Sequence, residues 1–182
     1  MEKAGARKPT AKDMALTGMM TALLAVCAWV TIPFTIPFTL QTFGVFMALR
    51  LLGGRRGTAA IALYILLGIA GVPVFSGFGA GFGVITGPTG GYIAGFLLTG
   101  LLYCVAKPLR TSRLRENTVL AAGLLVCYAF GTAWFCKVKG NAGSPTDFLR
   151  AVSICVLPYV IPDAVKLLLA DQIAARVRKS IH

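Results

Sequence analysis

The sequence predicts an all-α, polytopic membrane protein of six transmembrane helices with both termini on the cytoplasmic side, and two observations carry that prediction. The first is composition: 182 residues, 57% hydrophobic and 13% charged, with a mean hydropathy of +0.78, too apolar for the surface of a water-soluble domain. The second is the alternation of apolar runs with short cationic gaps. A helix needs about 20 apolar residues to cross the hydrocarbon core, so this length accommodates about six passes. They form one integral membrane domain over 1–182, with no room for a separate soluble one.

Taken in order, the expected spans are 14–32, 39–53, 57–74, 90–106, 118–136 and 162–178. The first follows Lys3, Arg7, Lys8 and Lys12 like the opening of a signal peptide. Its apolar run continues to Ile32 without a small-residue cleavage site, and in LAVC at 24–27 Val26 stands where lipoprotein processing wants Gly or Ala, so it is read as an uncleaved span. The second and sixth spans are short for a full crossing. Pro162 suits the first turn of a helix and not its interior, which places the start of the sixth near that residue. SPTD at 144–147 offers a helix N-cap, so a short amphipathic helix is expected over about 145–156.

Cationic flanks stay on the cytoplasmic side, and the count separates cleanly. The N-terminus, the second connection with Arg50, Arg55 and Arg56, the fourth with Lys107, Arg110, Arg113 and Arg115, and the C-terminus with Arg176, Arg178 and Lys179 hold fourteen of the 18 Lys and Arg residues. The opposite set holds Lys137, Lys139 and Arg150, and Lys166 falls inside the sixth span. Adding or removing one span would scramble this split. The connections on the outer side, PFTIPF at 33–38, FSGFGAGFGVITGPT at 75–89 and the segment 137–161, are rich in Pro, Gly and aromatics and poor in charge. Irregular backbone of this kind is tolerated at membrane depth only when buried in protein or lining a cavity, so a pocket is expected on the outer face.

Several function classes are disfavoured. The formal charge of +12 lies in gaps between apolar runs rather than on a soluble scaffold, which argues against nucleic acid as a partner. The five cysteines are scattered without CxxC spacing and the single histidine is His182, so neither a metal site nor a disulfide framework is indicated. No P-loop, HExxH or GxSxG motif is present and the carboxylates are dispersed. Catalysis and a resident cofactor are not expected, and active accumulation of a solute must draw on an ion gradient or a partner.

The strongest candidate site is the pair Asp163 and Lys166 in PYVIPDAVKLLLA, 158–170. At i and i+3 they share a helix face. Such a pair can serve as an internal tether, but ionisable groups in a bilayer are costly and face a cavity, partner or substrate path, and opposite charges suit a polar solute that both donates and accepts. Asp163 directly after Pro162 is expected in the first helical turn, where the dipole favours its ionised form. A second candidate is GFGAGFGVITGPTGGYIAG, 77–95, whose glycines let the backbone approach a ligand or pack closely on neighbouring helices; Thr86, Thr89 and Tyr92 are its polar contacts, with Gly79 among its close-approach positions. In the first span Ala15, Gly18 and Ala22 form a small-residue stripe for close helix approach, with a helix of the same chain as the default partner.

Four stretches, IPFTLQTF at 36–43, LLGIAGVPVF at 66–75, GPTGGYIAGF at 87–96 and Pro-Asp-x-x-Lys at 162–166, together resemble the BioY family of biotin-binding S components of energy-coupling factor (ECF) transporters. The resemblance runs from about residue 10 to 179, with GPTGGY its most specific element. It implies an S-component-like fold in the plasma membrane of a prokaryote, biotin as transported ligand, and two ABC-type ATPases with a transmembrane coupling protein as partners. By the same resemblance Asp163, Lys166, Thr86 and Tyr92 map onto ligand contacts, and Ala15, Gly18 and Ala22 onto the coupling interface; with biotin as the ligand, the Gln41 amide can match the ureido group with a donor and an acceptor, and Phe75, Phe78, Phe82 and Tyr92 can cover the apolar bicycle and chain. Pro162 departs from the Gly often found before the aspartate. An S component for another small vitamin, a stand-alone secondary carrier and a membrane enzyme acting on a lipid-like substrate are the alternatives, the last disfavoured by the dispersed carboxylates.

Overall fold

In the computed structural model, which describes residues 10–106 and 112–181, seven α-helices are found among the described residues: α1 Ala11–Trp29, α2 Gln41–Ile69, α3 Phe82–Thr86, α4 Gly90–Val105, α5 Arg113–Asn141, α6 Phe148–Cys155 and α7 Leu157–Ile181. The flank cations Lys3, Arg7, Lys8, Lys107 and Arg110, and His182, lie outside the described residues.

α1 begins where Thr10 and Asp13 close a capping box, each side chain bonded at 3.2 Å to the other's backbone N–H. Asp13 also meets Arg56 at 2.8 Å, which ties α1 to α2. After α1 the chain turns through a short ribbon in which β1 (Thr31–Ile32) pairs antiparallel with β2 (Phe38–Thr39).

α2 is a single element broken at Gly53, whose φ of 77° and ψ of 176° only glycine adopts readily. A Cβ built on Gly57 would lie 2.8 Å from the backbone of Ala48 and Leu49. In a straight helix those positions would stand more than 10 Å apart, at about 1.5 Å per residue, so the arms 41–52 and 54–69 fold back on each other as a hairpin. The expected connection after residue 53 is thus a one-residue break, and the second arm stops at Ile69, short of the expected 74, because Gly71 takes a φ of +99°.

α5 extends five residues beyond the expected span at each end, since Arg113, Arg115, Lys137 and Lys139 continue the helix past its apolar stretch. α6 follows its N-cap Asp147, whose carboxylate accepts from Leu149 N–H at 3.2 Å, and meets α7 at a 43° bend. α7 starts at Leu157, not near Pro162. Pro162 therefore sits inside it, at the loss of the one hydrogen bond its missing N–H would give Pro158.

By length and apolarity, α1 and α5 each suffice to cross a membrane and the α6–α7 pair does so jointly, while α4 is apolar but shorter. Leu24, Phe46, Leu49, Ile61, Tyr103 and Leu120 fill the interior. Met19, Leu66, Val105, Leu125 and Leu168 face outward, as lipid demands of a spanning bundle.

Candidate functional site

A cavity of about 620 Å³ including its mouth opens between the starts of α2 and α4, the middle of α5 and the first half of α7. Ile36, Ile93, Phe96 and Leu124 give it apolar walls, and each helix adds a polar group: Gln41 and Thr42 from α2, Tyr92 from α4, Tyr128 from α5, Tyr159, Asp163 and Lys166 from α7. Tyr159, Asp163 and Lys166 recur at i, i+4 and i+7, so one face of α7 presents all three.

Asp163 and Lys166 are both buried. Lys166 Nζ donates to Asp163 Oδ1 at 2.7 Å and to the Thr39 carbonyl at 2.6 Å, lies 3.4 Å from Thr42 Oγ1, and stands 4.3 Å from the centre of the Phe38 ring. Thr42 Oγ1 donates to Asp163 Oδ1 at 2.9 Å and Tyr128 OH to Oδ2 at 2.6 Å. Lys166 thus spends all three of its N–H groups, the Thr42 contact being the longest, while Asp163 Oδ2 keeps a lone pair beyond its bond from Tyr128. Asp163 is the seventh residue of α7, past the first turn expected for it. Three side chains, not the helix terminus, stabilise its charge.

Tyr92 is held by Thr132, their hydroxyl oxygens 3.1 Å apart, and its ring lies against Gly131, where an added Cβ would come within 2.3 Å. Gln41 gives an amide N–H to Tyr64 OH at 2.8 Å, which fixes the plane of its amide at the wall. Thr89 lines the cavity from the start of α4.

Three other expected residues stand off it. Phe75 is fully buried behind the wall, edge-on to Tyr64. Gly79 packs beside Val84, and exposed Thr86 returns its hydroxyl to its own helix at Phe82 and Gly83. In each case local packing of the glycine-rich loop takes the residue. Phe78 is likewise turned away to stack on Trp29, and Phe82 is exposed.

Thr42, Tyr128 and Tyr159 escaped the sequence reading. Tyr159 was signalled by its place four residues before Asp163, and Thr42 by adjacency to Gln41. Tyr128 had no signal beyond a hydroxyl in an apolar run.

A second polar layer lies eight residues further along the same two helices. Arg50, expected as a cationic flank, is instead 1% exposed. Its Nη1 meets Asp171 at 2.9 Å and Glu116 at 3.3 Å, and its Nη2 donates to Asn117. Arg178 bonds Glu116 at 3.2 Å and the Arg50 carbonyl, and Tyr103 donates to Glu116. Thr42 meets Asp163 and Arg50 meets Asp171, an equal step on both helices, so the first arm of α2 and α7 run parallel and in register.

Ala15, Gly18 and Ala22 are exposed on α1, and nothing lies within 4 Å of a Cβ placed on Gly18. The stripe therefore has no partner helix among the described residues, contrary to the default of an internal one.

Fold and cavity together define a polytopic helical membrane protein with an apolar-walled chamber into which a buried ion pair and several hydroxyls project. The chain belongs to the BioY family, whose model matches residues 1–182. It is 38% identical over 169 residues to a biotin transporter BioY of Thermotoga maritima, covering 92% of this chain and 96% of that protein. It is 36% identical to a probable biotin transporter BioY of Pyrococcus horikoshii, covering 92% and 97%. Among solved structures it resembles the S-component for biotin from an ECF-type ABC transporter, with a TM-score of 0.82 and 27% identity over 97% of this chain and 95% of that one.

Proposed function

We propose that this chain is the biotin-binding S component of an ECF transporter in the plasma membrane of a prokaryote, with both termini cytoplasmic. It captures biotin from outside and is energised by a transmembrane coupling protein and two ABC-type ATPases. It is a transporter subunit and not an enzyme, it uses no cofactor, and the sequence carries no P-loop of its own.

The observation that supports this reading best is the buried Asp163–Lys166 pair at the wall of the cavity, with Tyr128 and Thr42 closing around the carboxylate. The two charges neutralise each other, so they suit an uncharged group that donates and accepts, which the ureido ring of biotin provides. Asp163 Oδ2 takes a ureido N–H, and the ureido oxygen displaces the 3.4 Å Lys166–Thr42 contact. The biotin carboxylate would be repelled by Asp163 and lies away from the pair. Gln41 and Thr89 supply further polar contacts, and Tyr92 with Phe96 covers the apolar ring and chain. Phe75, Gly79 and Thr86 stand off the chamber and pack the loop that flanks it. Ala15, Gly18 and Ala22 form the face that meets the coupling protein.

The test is equilibrium binding of biotin to the detergent-purified chain, with thiamine and riboflavin as competitors and Asp163→Asn beside the parent. A hydrogen bond to a charged group contributes about 1.5–3 kcal/mol, so the substitution weakens biotin by about tenfold or more. Folded protein that ignores biotin, or that binds thiamine as well, overturns the assignment.

A further inference from the structure

We infer that the end of the bundle opposite the ligand chamber carries a binding site for the headgroup phosphate of an anionic phospholipid. On α7, Arg178 lies fifteen residues beyond Asp163, about 22 Å at helical rise, so the two sites stand at opposite ends. There an open cleft lies between α2, α5 and α7, lined by Arg50, Arg113, Asp171, Arg178 and Lys179, and an adjoining cleft that shares Arg113 and Lys179 adds Arg176.

Five cations thus converge against two carboxylates, Asp171 and the underlying Glu116. Both carboxylates are committed to Arg50 and Arg178, and Arg113, Arg176 and Lys179 have no counter-ion among the described residues. Arg50 Nε is the one buried side-chain nitrogen or oxygen without a partner among the described residues.

A spanning bundle places this rim at headgroup depth, where basic pockets between helices take anionic lipid. Arginine forks match phosphate oxygens in pairs, and Ala174 and Ala175 leave an apolar side on which the start of an acyl chain can lie. The site is separate from the biotin chamber and does not depend on which leaflet faces it.

The experiment reconstitutes the full chain in nanodiscs of phosphatidylcholine with and without phosphatidylglycerol and reads retained lipid by native mass spectrometry. A cation that bonds the phosphate directly contributes a charge-assisted hydrogen bond, so its loss weakens retention by about tenfold or more. Arg113→Gln and Lys179→Gln should each lower phosphatidylglycerol retention by about that factor. Arg55→Gln, an exposed cation outside the cleft, should leave it unchanged. Retention that falls equally with Arg55→Gln shows only diffuse surface attraction and overturns the site, as does equal retention of both lipids. Inorganic phosphate that displaces the lipid at millimolar concentration would instead make a soluble phosphate the occupant. Biotin binding measured on the same samples reports separately on the ligand chamber.

Discussion

Lys166→Met removes the charge that answers Asp163 while keeping most of the side-chain volume. Two short bonds are lost, to Asp163 Oδ1 at 2.7 Å and to the Thr39 carbonyl at 2.6 Å. Charge-assisted bonds contribute about 1.5–3 kcal/mol each, so the sum, about 3–6 kcal/mol, agrees with the ~3–5 kcal/mol that follows when one partner of a buried pair is removed. For a chain of this size 1 kcal/mol is about 2–4 °C, so a loss of about 3–5 kcal/mol should lower the thermal midpoint in detergent by roughly 6–20 °C. The decisive comparison is the double variant Asp163→Asn with Lys166→Met, in which no charge is left unpaired. Its stability should recover most of the loss, because the cost of the single change lies largely in the stranded carboxylate. Biotin binding should not recover, staying about 100-fold or more below the parent, since the double variant offers neither the charged acceptor nor the ammonium donor. Both quantities come from one preparation, by thermal unfolding and by equilibrium binding. Recovery of binding together with stability would refute the reasoning and make the pair a tether between α7 and the start of α2.

Three further outcomes follow from the packing. Gly131→Ala puts a methyl group 2.3 Å from the Tyr92 ring and should cost about 1–3 kcal/mol of stability by overpacking, with weaker biotin binding because Tyr92 is pushed from its bond to Thr132; unchanged binding would remove Tyr92 from the ligand contacts. Gly53→Ala forces a side chain into φ 77° and ψ 176° and should lower stability by about 1–3 kcal/mol, readable as a lower thermal midpoint with biotin contacts intact. Gly18→Leu meets open space on α1 and should leave both stability and biotin affinity unchanged while reducing co-purification with the coupling protein; loss of biotin binding would place the stripe inside the working fold.

What the sequence discloses divides along a physical line. Hydropathy registers where a chain leaves water, so α1, α4 and the apolar middle of α5 were legible to within a few residues. It is blind to helix continuing past the apolar stretch, which is why Arg113 and Lys139 were read as connections although both are helical. It is blind also to a proline inside a helix, which costs a single hydrogen bond when packing holds the turn, and so α7 starts at Leu157. Arg50 shows the same limit in charge. Counted as a flank, it fits the cationic bias, yet its surroundings of Glu116, Asp171 and Asn117 come from helices 66 to 121 residues away, which no local reading can supply. The Asp163–Lys166 pair was legible because its partners are three residues apart. Tyr128, which completes it from α5, was not, because a buried hydroxyl reveals its purpose only through what it touches. The equal eight-residue step between the two polar layers on α2 and α7 joins these cases. The layer at Asp163 leaves a lone pair open to the chamber. The layer at Arg50 is closed on all but its Nε and fixes the register that brings Thr42 to Asp163. Thr42 and Asp163, Arg50 and Asp171 are therefore two rungs of one parallel helix pair, with the hidden rung aligning the visible one.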